Sequence, residues 1–151
     1  MDFTPEQART LVGVSRETLR HWRRAIPYLS GKAGKAARFT LADVVGLAVI
    51  QEIVEKLGIQ IASVGHSVDA MFGLLADATA DSLDSCTVTL AAEQARLHDQ
   101  QEEARGIVTQ PSLVVPLAPI IARIQQNLFP IAARVRQRDL RFPPEAVRRQ
   151  A

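Results

Sequence analysis

Ala8, Leu11 and Val12 recur at spacings of three and one behind Thr4-Pro5-Glu6-Gln7. Thr4 suits an N-cap, Pro5 a first turn where its missing N–H costs nothing, and Gln7 completes a capping box. The pattern predicts a short helix interrupted at Gly13. Ser15 can cap a second helix over Arg16–Ile26, with Leu19, Trp22 and Ile26 on one face and Arg16, Arg20 and Arg23 away from it. Pro27 ends that helix. Ser30 to Phe39 then holds two glycines, two lysines and an arginine between Tyr28 and Phe39, which predicts a basic hairpin tip anchored by aromatics. Thr40 with Asp43 three residues on is another capping box. Behind it Val44, Leu47, Ile50, Val54 and Leu57 form one apolar row, and Val45, Val49 and Ile53 a second, so this third helix is buried on more than one side. Gly58 closes it. Ile61, Val64, Val68, Met71 or Phe72, and Leu75 predict a fourth helix to Ala76.

The second half is patterned differently. Cys86–Leu90 alternates polar and apolar residues and Ser112–Val115 is β-branched between prolines; both read as short strands that could pair. Ala91–Arg105 has helix formers but no clean stripe, and reads either as an exposed helix or as the arms of a long hairpin. Leu117–Asp139 is amphipathic, with Ile120, Ile124, Leu128, Ile131 and Val135 in register; Pro130 predicts a kink or break near Gln126–Phe129. The fold class expected is mainly α. An N-terminal winged helix-turn-helix of four helices with a small β-hairpin wing fills 1–76. A mixed α/β or helical dimerisation region fills 77–139, with its amphipathic helix at 117–138, and a basic, frayed tail fills 140–151.

Composition narrows the class. The chain has 151 residues, 47% hydrophobic and 23% charged, an ordinary globular balance. Its longest apolar run, around Val44–Ile50, is far shorter than a membrane span, and the opening residues lack the charged and apolar regions of a secretory signal. The expected place is the cytoplasm, on the nucleoid, with no membrane partner. The net charge of +2 hides a segregation. Residues 1–60 carry nine Lys/Arg against six Asp/Glu, residues 61–118 two against eight, and residues 119–151 seven against two. Between Arg9 and Thr40 stand eight basic residues and only Glu17, a local +7. Such density suits a phosphate-binding surface, and equally a solvated charged face.

Catalytic chemistry finds little support. His21, His66 and His98 are isolated, with no metal-ligand spacing to the single Cys86. His66 near Ser67 and Asp69 is an adjacency and not a triad, no glycine-rich phosphate loop occurs, and Cys86 reads as a small strand residue. The expectation is no catalytic residue, no metal and no cofactor.

Three segments carry a family resemblance. Leu11-Val12-Gly13-Val14-Ser15-Arg16-Glu17-Thr18-Leu19-Arg20-His21-Trp22 is similar to the G-V-S turn, T-L-R and aromatic pair of the MerR-type winged helix-turn-helix family. Ala37-Arg38-Phe39-Thr40-Leu41-Ala42-Asp43-Val44 resembles its wing exit, and Leu57-Gly58-Ile59-Gln60-Ile61 its third-to-fourth helix turn. Three signatures in order over about 64 residues are specific together and weak singly. The resemblance implies a DNA-binding surface of Ser15, Arg16, Glu17, Thr18, Arg20, His21, Arg23, Arg24, Lys32, Lys35 and Arg38. Arg16 would read bases, Arg20 brace the phosphate backbone, and Arg38, with Lys32 and Lys35, reach DNA from the wing. Glu17 reads as a partner of the helix N-terminal dipole or as a cytosine reader. Trp22 reads as core with an accessible edge.

Relatives that sense metals use C-terminal cysteines, and others carry a long coiled coil or a drug-binding β-domain; Cys86 alone, and the lack of sustained heptads, depart from both patterns. The expected function is a sequence-specific transcription regulator of bacterial or phage type, binding an inverted repeat in double-stranded DNA as a homodimer. Its self-association would run through Ile120, Ile124, Leu128, Ile131 and Val135, with RNA polymerase a further candidate partner. Two alternatives stand beside it: an architectural DNA binder like an excisionase or small terminase subunit, and a protein-interaction adaptor that does not bind DNA.

Overall fold

A computed structural model describes residues 1–99 and 110–139, the last eleven of these by backbone alone. The chain is mainly helical with two small sheets. Helix α1 spans Pro5–Val12 and is closed by the expected box: Gln7 N–H donates to Thr4 Oγ1 at 3.2 Å, and Thr4 N–H to Gln7 Oε1 at 2.9 Å. Gly13 ends it with φ of 84°, a left-handed conformation that penalises any Cβ. Arg9 completes this turn. Its carbonyl accepts from Gly13 and Val14, and its guanidinium donates to the Val14 carbonyl at 3.0 Å.

Helix α2, Arg16–Ala25, starts at Ser15, whose Oγ accepts from Thr18 N–H at 3.1 Å. Pro27 opens a separate short helix, α3, Pro27–Ser30. No hairpin follows. Residues 31–38 form turns, and the strand leaving them, Phe39–Thr40 (β2), pairs antiparallel with an N-terminal strand, Asp2–Phe3 (β1). The expected hairpin wing is therefore corrected to a turn-built loop closed by a ladder with the chain's own start. With two lysines, an arginine and two glycines in the loop, too few β-formers flank a tip to pair.

Thr40 and Asp43 cap helix α4, Leu41–Gln51, whose residues Asp43–Ile50 are all buried. It continues as a π-helical turn, Glu52–Lys56. The wider turn changes the phase of the apolar rows. Ile53 stays in the core, while Leu57, expected inside, is 56% exposed. A 3-10 turn, Ile61–Ser63, precedes helix α5, Gly65–Asp77, so the expected fourth helix starts later than its apolar register suggested. Gly46 permits the α4–α5 packing: a Cβ there would lie 2.3 Å from the Phe72 ring. Phe72 in turn stacks on Tyr28 with centroids 4.7 Å apart.

A short helix, α6, Ala80–Leu83, leads to strands β3 (Cys86–Leu90), β4 (Ala95–Asp99) and β5 (Leu113–Pro116), in the antiparallel order β4-β3-β5. The two strands expected from the sequence do pair, Val88 opposite Val115. The hairpin alternative holds for 95–99, Leu97 standing opposite Val88; residues 100–105 lie outside the described ones. Helix α7, Leu117–Asp139, is continuous through Pro130, which excludes a break there and leaves a kink as the other form of the expectation.

Val88, Leu90, Val115, Leu117, Ile120, Ile121 and Ile124 join the same buried cluster as Phe3, Leu11, Trp22, Leu47 and Phe72. One core crosses position 76. Among the described residues no helix is long and apolar enough to cross a membrane.

Candidate nucleic-acid interface

Helix α2 buries Leu19 and Trp22 and turns Arg16, Arg20 and Arg24 to solvent. Their spacing of four places them as a ridge on one side of the helix. His21 is exposed beside them, as is Glu17 in the first turn, where a carboxylate favours the helix dipole. Ser15 and Thr18 hold each other at 2.8 Å and cap the helix. Trp22 lies in the core, 2% exposed, so the accessible edge expected for it is small. Trp22 forms, with His21, Val54 and the 58–62 turn, one wall of an open groove of about 400 Å³.

The cations differ in what already holds them. Arg16 pairs with Glu6 of α1 at 3.2 Å, and Arg9 pairs with the same carboxylate at 2.6 Å. These two guanidinium groups bring the Glu6 pKa down to about 2. Arg23 is half-buried, 5.9 Å from the Phe39 ring centroid; its Nε and Nη2 are buried without a hydrogen-bond partner among the described residues. It faces inward, where a ring and not a phosphate receives it. No ion pair among the described residues occupies Arg20, Arg24, Lys35 or Arg38, and all four are exposed. Arg38 donates to the carbonyls of Lys35 and Ala37, which folds the loop back on itself.

Lys32 stands apart from this group. Its Nζ lies 2.8 Å from Oδ2 of Asp43, an acid only 1% exposed, and 3.0 Å from the Arg38 carbonyl. Tyr28 Oη donates to Asp43 Oδ1 at 2.6 Å, and Thr40 N–H to Oδ2 at 2.8 Å. Burial pushes the Asp43 pKa up, but Lys32, Tyr28 and the Thr40 amide outweigh it and hold the carboxyl below its ordinary value. A depressed folded pKa gives stability that is complete above the range of an unfolded aspartate and lost as pH falls through the folded value. Urea midpoints should therefore drop on acidification more steeply in the parent than in an Asp43→Asn variant. Parallel acid profiles would remove Asp43 from the account.

The stripe expected to self-associate is divided. Ile120 and Ile124 are 3% and 1% exposed because the chain's own core covers them. They are spent internally. Leu128 is partly buried against that core, and the side chains of Ile131 and Val135 lie outside the described residues. Two polar contacts latch α7 to the head. Arg123 pairs with Glu52 at 2.5 Å, and Asn127 Nδ2 donates to the Leu11 carbonyl at 3.0 Å, just before the α1–α2 turn. Neither Arg123, Asn127 nor Asp43's buried partnership stood out in the chain, since each depends on residues far away in sequence. Asp69 is similar: its Oδ1 accepts from Tyr28 N–H at 2.7 Å in the first turn of α3, while Ser67 Oγ donates to the Val64 carbonyl at 3.0 Å. Among the described residues no group of three metal-ligating side chains converges.

A capped helix, a tight glycine turn and a second capped helix with an outward arginine ridge define a helix-turn-helix. Residues 3–70 match the family model of the MerR HTH family regulatory protein, and this segment is a MerR-type helix-turn-helix. A head of that type suggests a DNA-binding transcription regulator. No curated protein and no solved structure matches the chain.

Proposed function

We propose that the protein regulates transcription by binding an inverted repeat in duplex DNA as a homodimer. The observation that carries this reading is the ridge of Arg16, Arg20 and Arg24 on a helix whose other face is core, with exposed Lys35 and Arg38 on the neighbouring loop. Helix α2 enters the major groove, where Arg16 and Arg20 reach base edges and phosphates, and the loop 31–38 lies on the adjoining backbone. Self-association uses the distal part of α7, beyond Ile120 and Ile124, which the chain's own core already covers. Duplex affinity measured across a salt series tests the first part: log K should fall steeply and linearly with log salt. Affinity that ignores salt would favour the adaptor reading. Sedimentation at working concentration tests the second, and a monomer would overturn the dimer.

The Glu6 carboxylate supplies a sharper expectation. It holds Arg16 beside the proposed DNA face, so an approaching phosphate must compete with it. Glu6→Gln should tighten binding to any duplex by about three- to ten-fold at low salt, through the lost repulsion and the released guanidinium. Because Glu6 is exposed, its melting temperature should barely change. Weaker binding in this variant would place Arg16 away from DNA.

A further inference from the structure

We propose that Lys32 does not touch DNA but is a positioning residue, fixing the loop 31–38 so that Lys35 and Arg38 stand at a set distance from α2. The inference rests on the DNA-binding reading and deepens it. Two of the three ammonium donors of Lys32 are engaged, one by the Asp43 carboxylate at 2.8 Å and one by the Arg38 carbonyl at 3.0 Å. The same ammonium lies 5.6 Å from the Tyr28 ring centroid and 5.7 Å from that of Phe39. Swinging out to a phosphate would leave Asp43 as a buried carboxylate without its cation, an arrangement far costlier than a surface contact returns, and in its braced position the Lys32 side chain is only 23% exposed.

The geometry also explains what the brace positions. Phe39 receives Lys32 from the loop and Arg23 from α2, so one ring ties the recognition helix and the loop to the same strand. The Arg38 carbonyl held by Lys32 belongs to the residue next to Phe39, which fixes where the Arg38 side chain leaves the backbone. Tyr28 braces from the other side, its hydroxyl on Asp43 and its ring stacked on Phe72. A lysine that a charge count assigns to the DNA surface thus acts through two of its neighbours.

Two variants of the full chain separate positioning from contact. Lys32→Met removes the cation and keeps the aliphatic stem; Tyr28→Phe removes only the hydroxyl on Asp43 and changes no charge on the surface. Without DNA, trypsin nicking after Lys35 and Arg38 should speed up by about ten-fold in Lys32→Met and by less in Tyr28→Phe, because local opening of the loop becomes easier. With DNA, both variants should bind duplexes more weakly while the slope of log K against log salt stays that of the parent. A slope lowered by about 0.9 in Lys32→Met, the loss expected of one phosphate contact, would overturn the proposal, as would unchanged nicking in both variants. If the parent itself binds no duplex at low salt, the DNA-binding reading fails and the nicking rates alone decide whether Lys32 braces the loop. Should Lys32→Met fail to fold, Tyr28→Phe decides: loosened nicking supports the brace and parental nicking refutes it.

Discussion

Changing Arg20, Arg24 and Arg38 together to alanine is expected to weaken duplex binding by about a hundred-fold near physiological salt and to flatten the salt slope by about 2.7, each lost phosphate contact accounting for roughly 0.9. The size follows from how uncommitted these groups are. All three are exposed, and none joins an ion pair among the described residues, so no ion pair has to break for their charge to meet DNA. Arg38 does hold two carbonyls of its own loop, which makes it the one member whose removal also loosens structure. Arg20 and Arg24 sit on a helix whose opposite face is anchored by Leu19 and Trp22, and alanine there is a better helix former. Circular dichroism should therefore be unchanged while fluorescence anisotropy against labelled duplex collapses. A triple variant that binds in parallel with the parent across the salt series would show that another face meets DNA, or that none does.

The largest loss of stability is expected at Phe72. Its ring is 1% exposed, stacks on Tyr28 and fills the notch that Gly46 leaves in α4. Phe72→Ala should cost about 3–5 kcal/mol, the transfer of the ring plus the cavity left behind. The notch has no Cβ of its own, so little can collapse into the space. Tyr28 would lose its stacking partner as well, and with it part of the support beneath Asp43. Denaturant unfolding with an unchanged m-value checks the figure, and a shift below about 1 kcal/mol would mean that the site repacks. Since a small domain has only about 5–15 kcal/mol of stability in total, this variant stands near the edge of folding.

Local features of the chain were legible and distant pairings were not. Thr4 with Gln7, Ser15 and Thr40 with Asp43 satisfy helix starts within three residues, so their chemistry can be read without knowing the fold. Gly13 likewise marks a turn that only a left-handed residue completes. The alternation at Cys86–Leu90 showed a strand for the same reason. The ladder of Asp2–Phe3 with Phe39–Thr40 gives no such signal, being two residues long and joined across most of the head. The π turn at Glu52–Lys56 keeps helical spacing in the sequence while displacing Leu57 from the core. At the candidate interface, counting charges located the basic face but could not sort it. Lys32 and Lys35 are equivalent in the sequence; the structure separates them because a buried Asp43 stands beside one and solvent beside the other. The stripe of α7 announced a covered face, and nothing in its spacing distinguished cover by the chain itself from cover by a second copy.

The core that runs from Phe3 to Ile124 without a seam has a thermodynamic consequence. If the head and the sheet with α7 melt in one transition, they have a single unfolding equilibrium, and anything bound to one part stabilises the other by the same RT ln(1 + L/Kd), L being the free ligand concentration. DNA on α2 would then raise the protection of amides in β3 as much as those in α4. The coupling is reciprocal: a partner held by the far end of α7 would strengthen the grip on DNA only by favouring the same folded form, with no moving hinge between them.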